Sequence, residues 1–236
     1  MTAPDRAPTA ADFYATNRGG GLFSEAVSQH VGAYIAAAGN RLGATPTALT
    51  LANFGLGLGV SVAAIALAGP VARGDVPAWA VGLLAGLGWQ IAYAFDCADG
   101  QLARVTGRTS PAGARLDILC DVAAQIALVT ALAATAAAQH PGTAAWLLAA
   151  FAGTWMVNLV TSVLQSGPQA ASMVPSRSLP VRVVKLIRDY GAVIAVAGLV
   201  LALAPQWTIW LIVAFTIVNG GFLLASIAFS ARASLR

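Results

Sequence analysis

Six apolar stretches, 47–69, 77–98, 113–138, 144–165, 190–204 and 207–229, decide what this chain can fold into. A helix needs about 20 apolar residues to cross the hydrocarbon core of a bilayer. Each stretch is of that order, the fifth with some extension toward Leu186. Composition agrees: 58% of residues are hydrophobic and 9% are charged, against roughly 25% charged in an average soluble domain. The reading is an all-α integral membrane protein with six transmembrane helices in one compact domain. The first forty residues lack a basic start followed by an apolar core and cleavage site, so no secretory signal peptide is expected.

Charge gives the orientation. Arg6, Arg18 and Arg41 precede the first span. Arg104, Arg108 and Arg115 surround the second-to-third connection. Arg177, Arg182, Lys185 and Arg188 follow the fourth span, and Arg232 and Arg236 close the chain. The opposite connections hold only Arg73, offset by Asp75, with no basic residue at 139–143 or 205–206. Basic residues favour the cytoplasmic side. The expectation is a multi-pass protein of the cell (inner) membrane with both termini and the active site cytoplasmic. The net charge of +4 is then mostly topology. No basic stripe with interleaved aromatics exists, so nucleic acid is not an expected partner.

Chemistry concentrates between residues 96 and 121. Four of the nine acidic residues lie there: Asp96, Asp99, Asp117 and Asp121. Ionisable groups in such an apolar chain are costly and functional by default. Asp96 and Asp99 are three apart and Asp117 and Asp121 four apart, so on helices each pair shares a face. Like charges so close repel. A hard divalent cation is the simplest remedy, since Mg²⁺ prefers carboxylate oxygen and commonly bridges carboxylates to a substrate phosphate. Cys97 and Cys120 are read as small packing residues, because thiolates suit softer metals.

Around this core, residues 1–20 read as a loose arm. Leu22, Phe23, Ala26, Val27, Val31, Tyr34 and Ile35 recur at helical spacing, with Ser24, Glu25, Ser28 and Gln29 opposite. That amphipathic helix either lies along the cytoplasmic interface or packs on the protein itself. The domain reading is 1–42 for the arm and interfacial helix, 43–230 for the six-helix transmembrane domain and 231–236 for a cytoplasmic tail. Thr45 is the expected cap and Pro46 the first residue of the first span. Asn53, polar and inside that span, faces a polar cavity or bonds a neighbouring helix. Trp79 suits the outer interface. Arg182, Lys185 and Arg188 recur every three residues, either anchoring the chain to lipid headgroups or forming a pocket for an anionic acceptor.

The residues just described fit D-x2-D-G-x2-A-R-x8-G-x3-D-x3-D through Asp96, Asp99, Gly100, Ala103, Arg104, Gly113, Asp117 and Asp121. This pattern resembles that of the CDP-alcohol phosphotransferase family, with all eight fixed positions present. The six spans, the amphipathic helix and the T-P-x-x-L-T entry to the first span extend the likeness. The resemblance implies a membrane transferase of phospholipid biosynthesis. It would move a phosphoryl-alcohol group, usually phosphatidyl from CDP-diacylglycerol, to an acceptor hydroxyl and release CMP. It also implies that Asp96, Asp99, Asp117 and Asp121 hold two divalent cations, Mg²⁺ or Mn²⁺. Asp121 is the implied general base. Gly100, Ala103, Arg104 and Gly113 are the implied nucleotide contacts, and a homodimer is the implied assembly.

Elementary chemistry is consistent with this, since two metals can clamp attacking and leaving oxygens and phosphoryl transfer is mostly positioning and electrostatics. Arg104 and Arg108 are able to grip phosphate oxygens, although Arg108 also fits a purely topological role. Arg115, two residues before Asp117, partners the aspartates or contacts substrate. Some subfamilies carry Lys, Arg or Ser-Phe-Gly after the last aspartate; here the chain runs Val122, Ala123, Ala124, Gln125. The acceptor is therefore not named by the motif. Arg115 with Arg182, Lys185 and Arg188 tilts it toward a phosphorylated polyol, such as inositol phosphate or glycerol phosphate. The competing reading is a divalent-cation transporter using the aspartates as an ion path. Transport sites are expected near the bilayer midplane, and that reading leaves Gly100, Ala103 and Arg104 unexplained.

Overall fold

The computed structural model describes residues 6–17, 20–164 and 186–234. Among them the chain is helical and contains no strand. The elements are α1 (Ala10–Tyr14), a π-helical turn (Ser24–Ser28) that runs into α2 (Gln29–Arg41), α3 (Pro46–Arg73) and α4 (Ala78–Val105). They continue with α5 (Pro111–Gln139), α6 (Ala145–Leu164), α7 (Tyr190–Leu203) and α8 (Thr208–Ser234). Helices over Pro46–Arg73, Ala78–Val105, Pro111–Gln139 and Pro205–Arg232 are long and apolar enough to cross a membrane. The part of α6 over Ala145–Val157, and α7, are shorter apolar segments. The 14 residues of α7 rise about 21 Å, less than a hydrocarbon core of about 30 Å. Within the described residues the six expected stretches are helical, and four of them lie in helices both long and apolar enough for a full crossing.

Local chemistry sets the helix ends. Thr45 accepts from Ala48 N at 3.1 Å, with Pro46 in the first turn of α3. Ser110 does the same for Gly113 N at 3.0 Å, ahead of Pro111. Between α4 and α5 the chain reverses through Gly107, whose φ of 66° is strained for residues with a Cβ. This short turn brings the two halves of the motif back toward each other.

The long helix α3 packs along both α4 and α5, and α7 packs along α4. Small residues permit the α4–α7 contact. A Cβ added to Gly82 would lie 2.1 Å from Ala202 N, and one on Gly198 2.6 Å from Gly86 Cα. Such close backbone approach is how membrane helices associate where apolar burial offers no advantage over lipid. The core beneath is aromatic: Trp155 stacks on Phe215 at 4.4 Å between centroids and meets Phe151 edge-on at 5.7 Å. Leu84, Leu87, Leu119, Ile217 and Leu224 are exposed on the perimeter, where lipid rather than water is their solvent. Trp79, Trp146, Trp207 and Trp210 are exposed near the starts of α4, α6 and α8, all at the end away from the motif. Trp79 thus joins a belt of the kind found at membrane interfaces. Trp89 is buried and donates to Ser61 Oγ at 3.0 Å.

The N-terminal helix packs on the protein through its polar and small face. Ser24, Ser28, Gln29, Gly32, Ala33, Ala36 and Ala37 are buried, whereas Val27, Val31 and Tyr34 are exposed. Gly32 lies against the Ala94–Ala98 turn of α4, where an added Cβ would meet Cys97 Cβ at 2.8 Å. The apolar stripe legible in the sequence therefore faces away from the bundle, a sensible direction when the surroundings are lipid. We expect Gly82→Ala to lower stability by about 1–3 kcal/mol through overpacking. Gly59→Ala, where a Cβ meets nothing within 4 Å, should be neutral or stabilising by about 1 kcal/mol. Thermal unfolding of both variants in one detergent checks this.

Candidate functional site

Helix α4 runs unbroken to Val105, so the first half of the motif lies on a helix beyond the apolar stretch that ended at residue 98. Asp96, Asp99, Gly100 and Ala103 then share one face at helical spacing. On α5, Gly113, Asp117 and Asp121 recur every four residues and share another. The two faces look across a cleft beside α3. Carboxylate oxygens of Asp96, Asp99 and Asp117 all lie within 4.8 Å of one another. Asp121 stands outside that trio but lines one cavity with Asp96 and Asn53.

Helix α3 supplies the polar floor. Thr50, 4% exposed, donates its hydroxyl to Asp99 Oδ2. One turn on, Asn53 Nδ2 donates to Asp96 Oδ1 at 3.5 Å. Both alternatives for Asn53 therefore hold at once: it bonds a neighbouring helix and it lines a cavity. That cavity, of about 170 Å³, is bounded by Asp96 and Asp121, by the amides Asn53 and Gln125, and by Trp89, Tyr93 and Tyr190. Gln125 Oε1 accepts from Trp155 Nε1 at 2.9 Å, which fixes the amide. Thr50, Tyr93, Gln125 and Tyr190 were not singled out from the sequence as site residues. Thr50 had a signal, the T-P-x-x-L-T entry one turn before Asn53, and Tyr93 and Gln125 had one in lying a helical turn from Asp96 and Asp121; Tyr190 had none.

The donor set suits a hard cation. It is all oxygen, it is crowded with like charge, and Asp117 Oδ1 is buried with no hydrogen-bond partner. A buried oxygen left unpaired is costly and is what a ligand site looks like before its ligand arrives. Cys97 points toward α2 and Cys120 is buried; neither belongs to the cluster of candidate ligands, in keeping with the packing role expected of both.

The basic candidates separate. Arg104 folds its guanidinium back over Gly100, where an added Cβ would come 2.9 Å from its nearest nitrogen, and its charge acts on Asp117. Gly113 is half-buried in the first turn of α5 and donates its N–H to the capping hydroxyl of Ser110. Arg108 and Arg115 are exposed. Arg188 is half-buried with its guanidinium 3.4 Å from the centroid of the Phe222 ring, and burial draws its pKa below the usual arginine value. It remains a cation at neutral pH. Arg182 and Lys185 lie outside the described residues, as do Arg18, Arg177 and Arg236.

Residues 43–218 match the family model described as CDP-alcohol phosphatidyltransferase. A search of curated proteins found no match. We expect Mn²⁺ to bind the full chain, and Asp99→Asn and Asp117→Asn to weaken it at least as much as Thr50→Val. The latter removes only a supporting hydroxyl and should cost about 10-fold, the low end for such partners. Electron paramagnetic titration of free Mn²⁺ measures all three.

Proposed function

The chain belongs to the CDP-alcohol phosphatidyltransferase family, and from that premise we infer that it transfers phosphatidyl from CDP-diacylglycerol to an acceptor hydroxyl, releasing CMP. The family transfers phosphoryl-alcohol groups from CDP-alcohols and uses divalent metals. The observation that carries the reading is the convergence of Asp96, Asp99 and Asp117 within 4.8 Å, with Asp121 beside them on a cavity wall.

In this reading Asp96, Asp99, Asp117 and Asp121 would hold two divalent cations, Mg²⁺ or Mn²⁺. When bound, these supply the positive charge that a diphosphate needs if a nucleophile is to approach it. Asp121 also takes the proton from the acceptor hydroxyl as its oxygen bonds to phosphorus, and the bond from phosphorus to the CMP oxygen breaks. Gly100 leaves the surface of α4 open to the nucleotide, Ala103 continues that small-residue face, and Gly113 keeps the first turn of α5 narrow. Arg104, folded against Gly100, is placed to swing onto a phosphate oxygen. The acceptor we favour is a phosphorylated polyol, inositol phosphate or glycerol phosphate. Asn53, Gln125 and Tyr93 on the cavity offer partners for polyol hydroxyls, and Arg115, Arg182, Lys185 and Arg188 are the candidate phosphate contacts.

The membrane setting follows the same reasoning. Six spans, an interfacial N-terminal segment within 1–42, a transmembrane domain over 43–230 and a tail at 231–236 are proposed. The multi-pass character rests on the apolar helices. A cytoplasmic site in the cell membrane is supported by charge: Arg41, Arg108, Arg115 and Arg232 fall at the motif end. Arg73, at the other end, pairs with Asp75 at 2.9 Å. A homodimer is proposed from the family alone.

Wild type should release CMP from CDP-diacylglycerol only with acceptor and Mg²⁺ or Mn²⁺ present, and EDTA should stop it. Asp121→Asn should lower kcat by about 10²–10⁴, the usual worth of a general base, while still binding donor; full activity would remove Asp121 from that role. In an acceptor panel, a preference for uncharged alcohols over phosphorylated polyols would overturn the acceptor assignment.

A further inference from the structure

Among the described residues, one buried carboxylate lies outside the aspartate cluster. Asp189 is 4% exposed and stands just ahead of α7. It accepts from Phe23 N at 2.7 Å, Ser24 N at 3.0 Å and Gly191 N at 3.1 Å. It also accepts from the Ser24 hydroxyl. One side chain thus caps two helices: the π-helical turn that opens the N-terminal segment, and α7. Helix starts expose unpaired N–H groups that favour an anion. A carboxylate retained in an apolar chain has to find partners for its lone pairs, and this one does.

The backbone is shaped around this contact. A Cβ on Gly21 would lie 2.1 Å from Asp189 Oδ2. One on Gly191 would lie 2.9 Å from Phe23 Cδ1 and 3.0 Å from both Ser24 Oγ and Ser28 Oγ. Glycine is therefore needed on both sides of the junction, which admits no side chain.

The hydrogen bonds continue toward the cleft. Tyr93 OH donates to Ser24 Oγ at 3.1 Å, and the Ser24 hydroxyl donates in turn to Asp189. Tyr93 lies one turn before Asp96 on α4 and lines the cavity with Asp96 and Asp121. Tyr190, next to Asp189 in sequence, lines it too, and the two rings meet edge-on at 4.8 Å. Gln90, a turn earlier on α4, donates to Gly191 O at 2.6 Å. The entry of α7 is thereby fixed against α4 at the cavity wall.

We propose that Asp189 is a positioning residue for the acceptor side of the site. It fastens the N-terminal segment to the entry of α7, where Tyr190 begins the helix, and through Ser24 it fixes Tyr93, against which the Tyr190 ring packs, where the alcohol acceptor is received. The proposal rests on the reaction inferred above, because Asp121 as base is what makes this cavity the acceptor's. Asp189 does not itself touch reacting atoms.

The test uses the full chain in lipid nanodiscs, with kinetics run separately against CDP-diacylglycerol and against the preferred acceptor. Asp189→Asn, Ser24→Ala and Tyr93→Phe should each raise acceptor KM about 10-fold, the size of one lost buried hydrogen bond at roughly 1.4 kcal/mol. Donor KM should stay within about 2-fold. The pair Asp189→Asn with Tyr93→Phe should be non-additive, as residues on one hydrogen-bonded chain are. Hydrogen exchange at Phe23 and Ser24 should speed up in Asp189→Asn and in Gly21→Ala. Unchanged acceptor KM, equal damage to donor and acceptor, additive effects, or unchanged exchange would each overturn the proposal. The inferred reaction fails separately: a wild type that releases no CMP refutes it, and with it the acceptor role, while exchange at Phe23 and Ser24 still decides the junction.

Discussion

Crowding of like charge in an apolar setting is the constraint on which the rest of this structure depends. Asp96, Asp99 and Asp117 approach within 4.8 Å, and carboxylates at such spacing repel strongly once water is thinned out around them. A fold can hold them there only if it grips each one. Thr50 holds Asp99 and Asn53 holds Asp96, both from α3, the helix that packs along the two motif helices. The uncommitted oxygen of Asp117 marks where the grip is left incomplete. Scaffold and site are in this sense one construction, because the helix that keeps α4 and α5 in place also steadies their acids.

Lipid as solvent explains the packing. Burying leucine gains nothing when the surroundings are hydrocarbon, so the contacts that bind helices are close backbone approach and satisfied polar groups. Gly82 against Ala202 is the first kind. Trp89 to Ser61, Gln90 to the Gly191 carbonyl and Asp189 to Ser24 are the second. The N-terminal helix is turned with its serines and glutamine inward and its valines and Tyr34 outward, the reverse of a helix on a water-soluble core.

This reversal shows what the sequence could and could not disclose. Periodicity located the helix and its two faces, but which face meets the protein depends on partners distant in the chain, and periodicity is silent on them. The aspartates were legible because their spacing is local: three and four residues on one helix need no tertiary knowledge to be placed together. Arg104 folding over Gly100 was nearly as legible, being one helical turn apart. Tyr93 and Gln125 stand one helical turn from Asp96 and Asp121 on the motif helices themselves, whereas Thr50 on α3 and Tyr190 on α7 reach the site from elsewhere, so only the assembled bundle brings those two there. Apolarity alone did not show how α7 begins. Its 14 residues read as a span by apolarity, yet its first turn belongs to the polar junction around Asp189.

Polar groups buried in such a chain are both fasteners and placing devices. A hydroxyl or carboxylate inside the bundle is tolerated only with its partners in position, so each one fixes the relative placement of the helices it joins. Asp189 joins two helix starts, and Ser24 passes that constraint to Tyr93 on the cavity wall. Apolar contacts of similar area would hold the same helices with more freedom to slide, since they lack direction. In the proposed reaction, aligning an acceptor hydroxyl with Asp121 to within a fraction of an ångström would give reason to use directional bonds at that wall. The glycines at 21 and 191 follow from this: direction is useful only if the chains come close enough for the bonds to form.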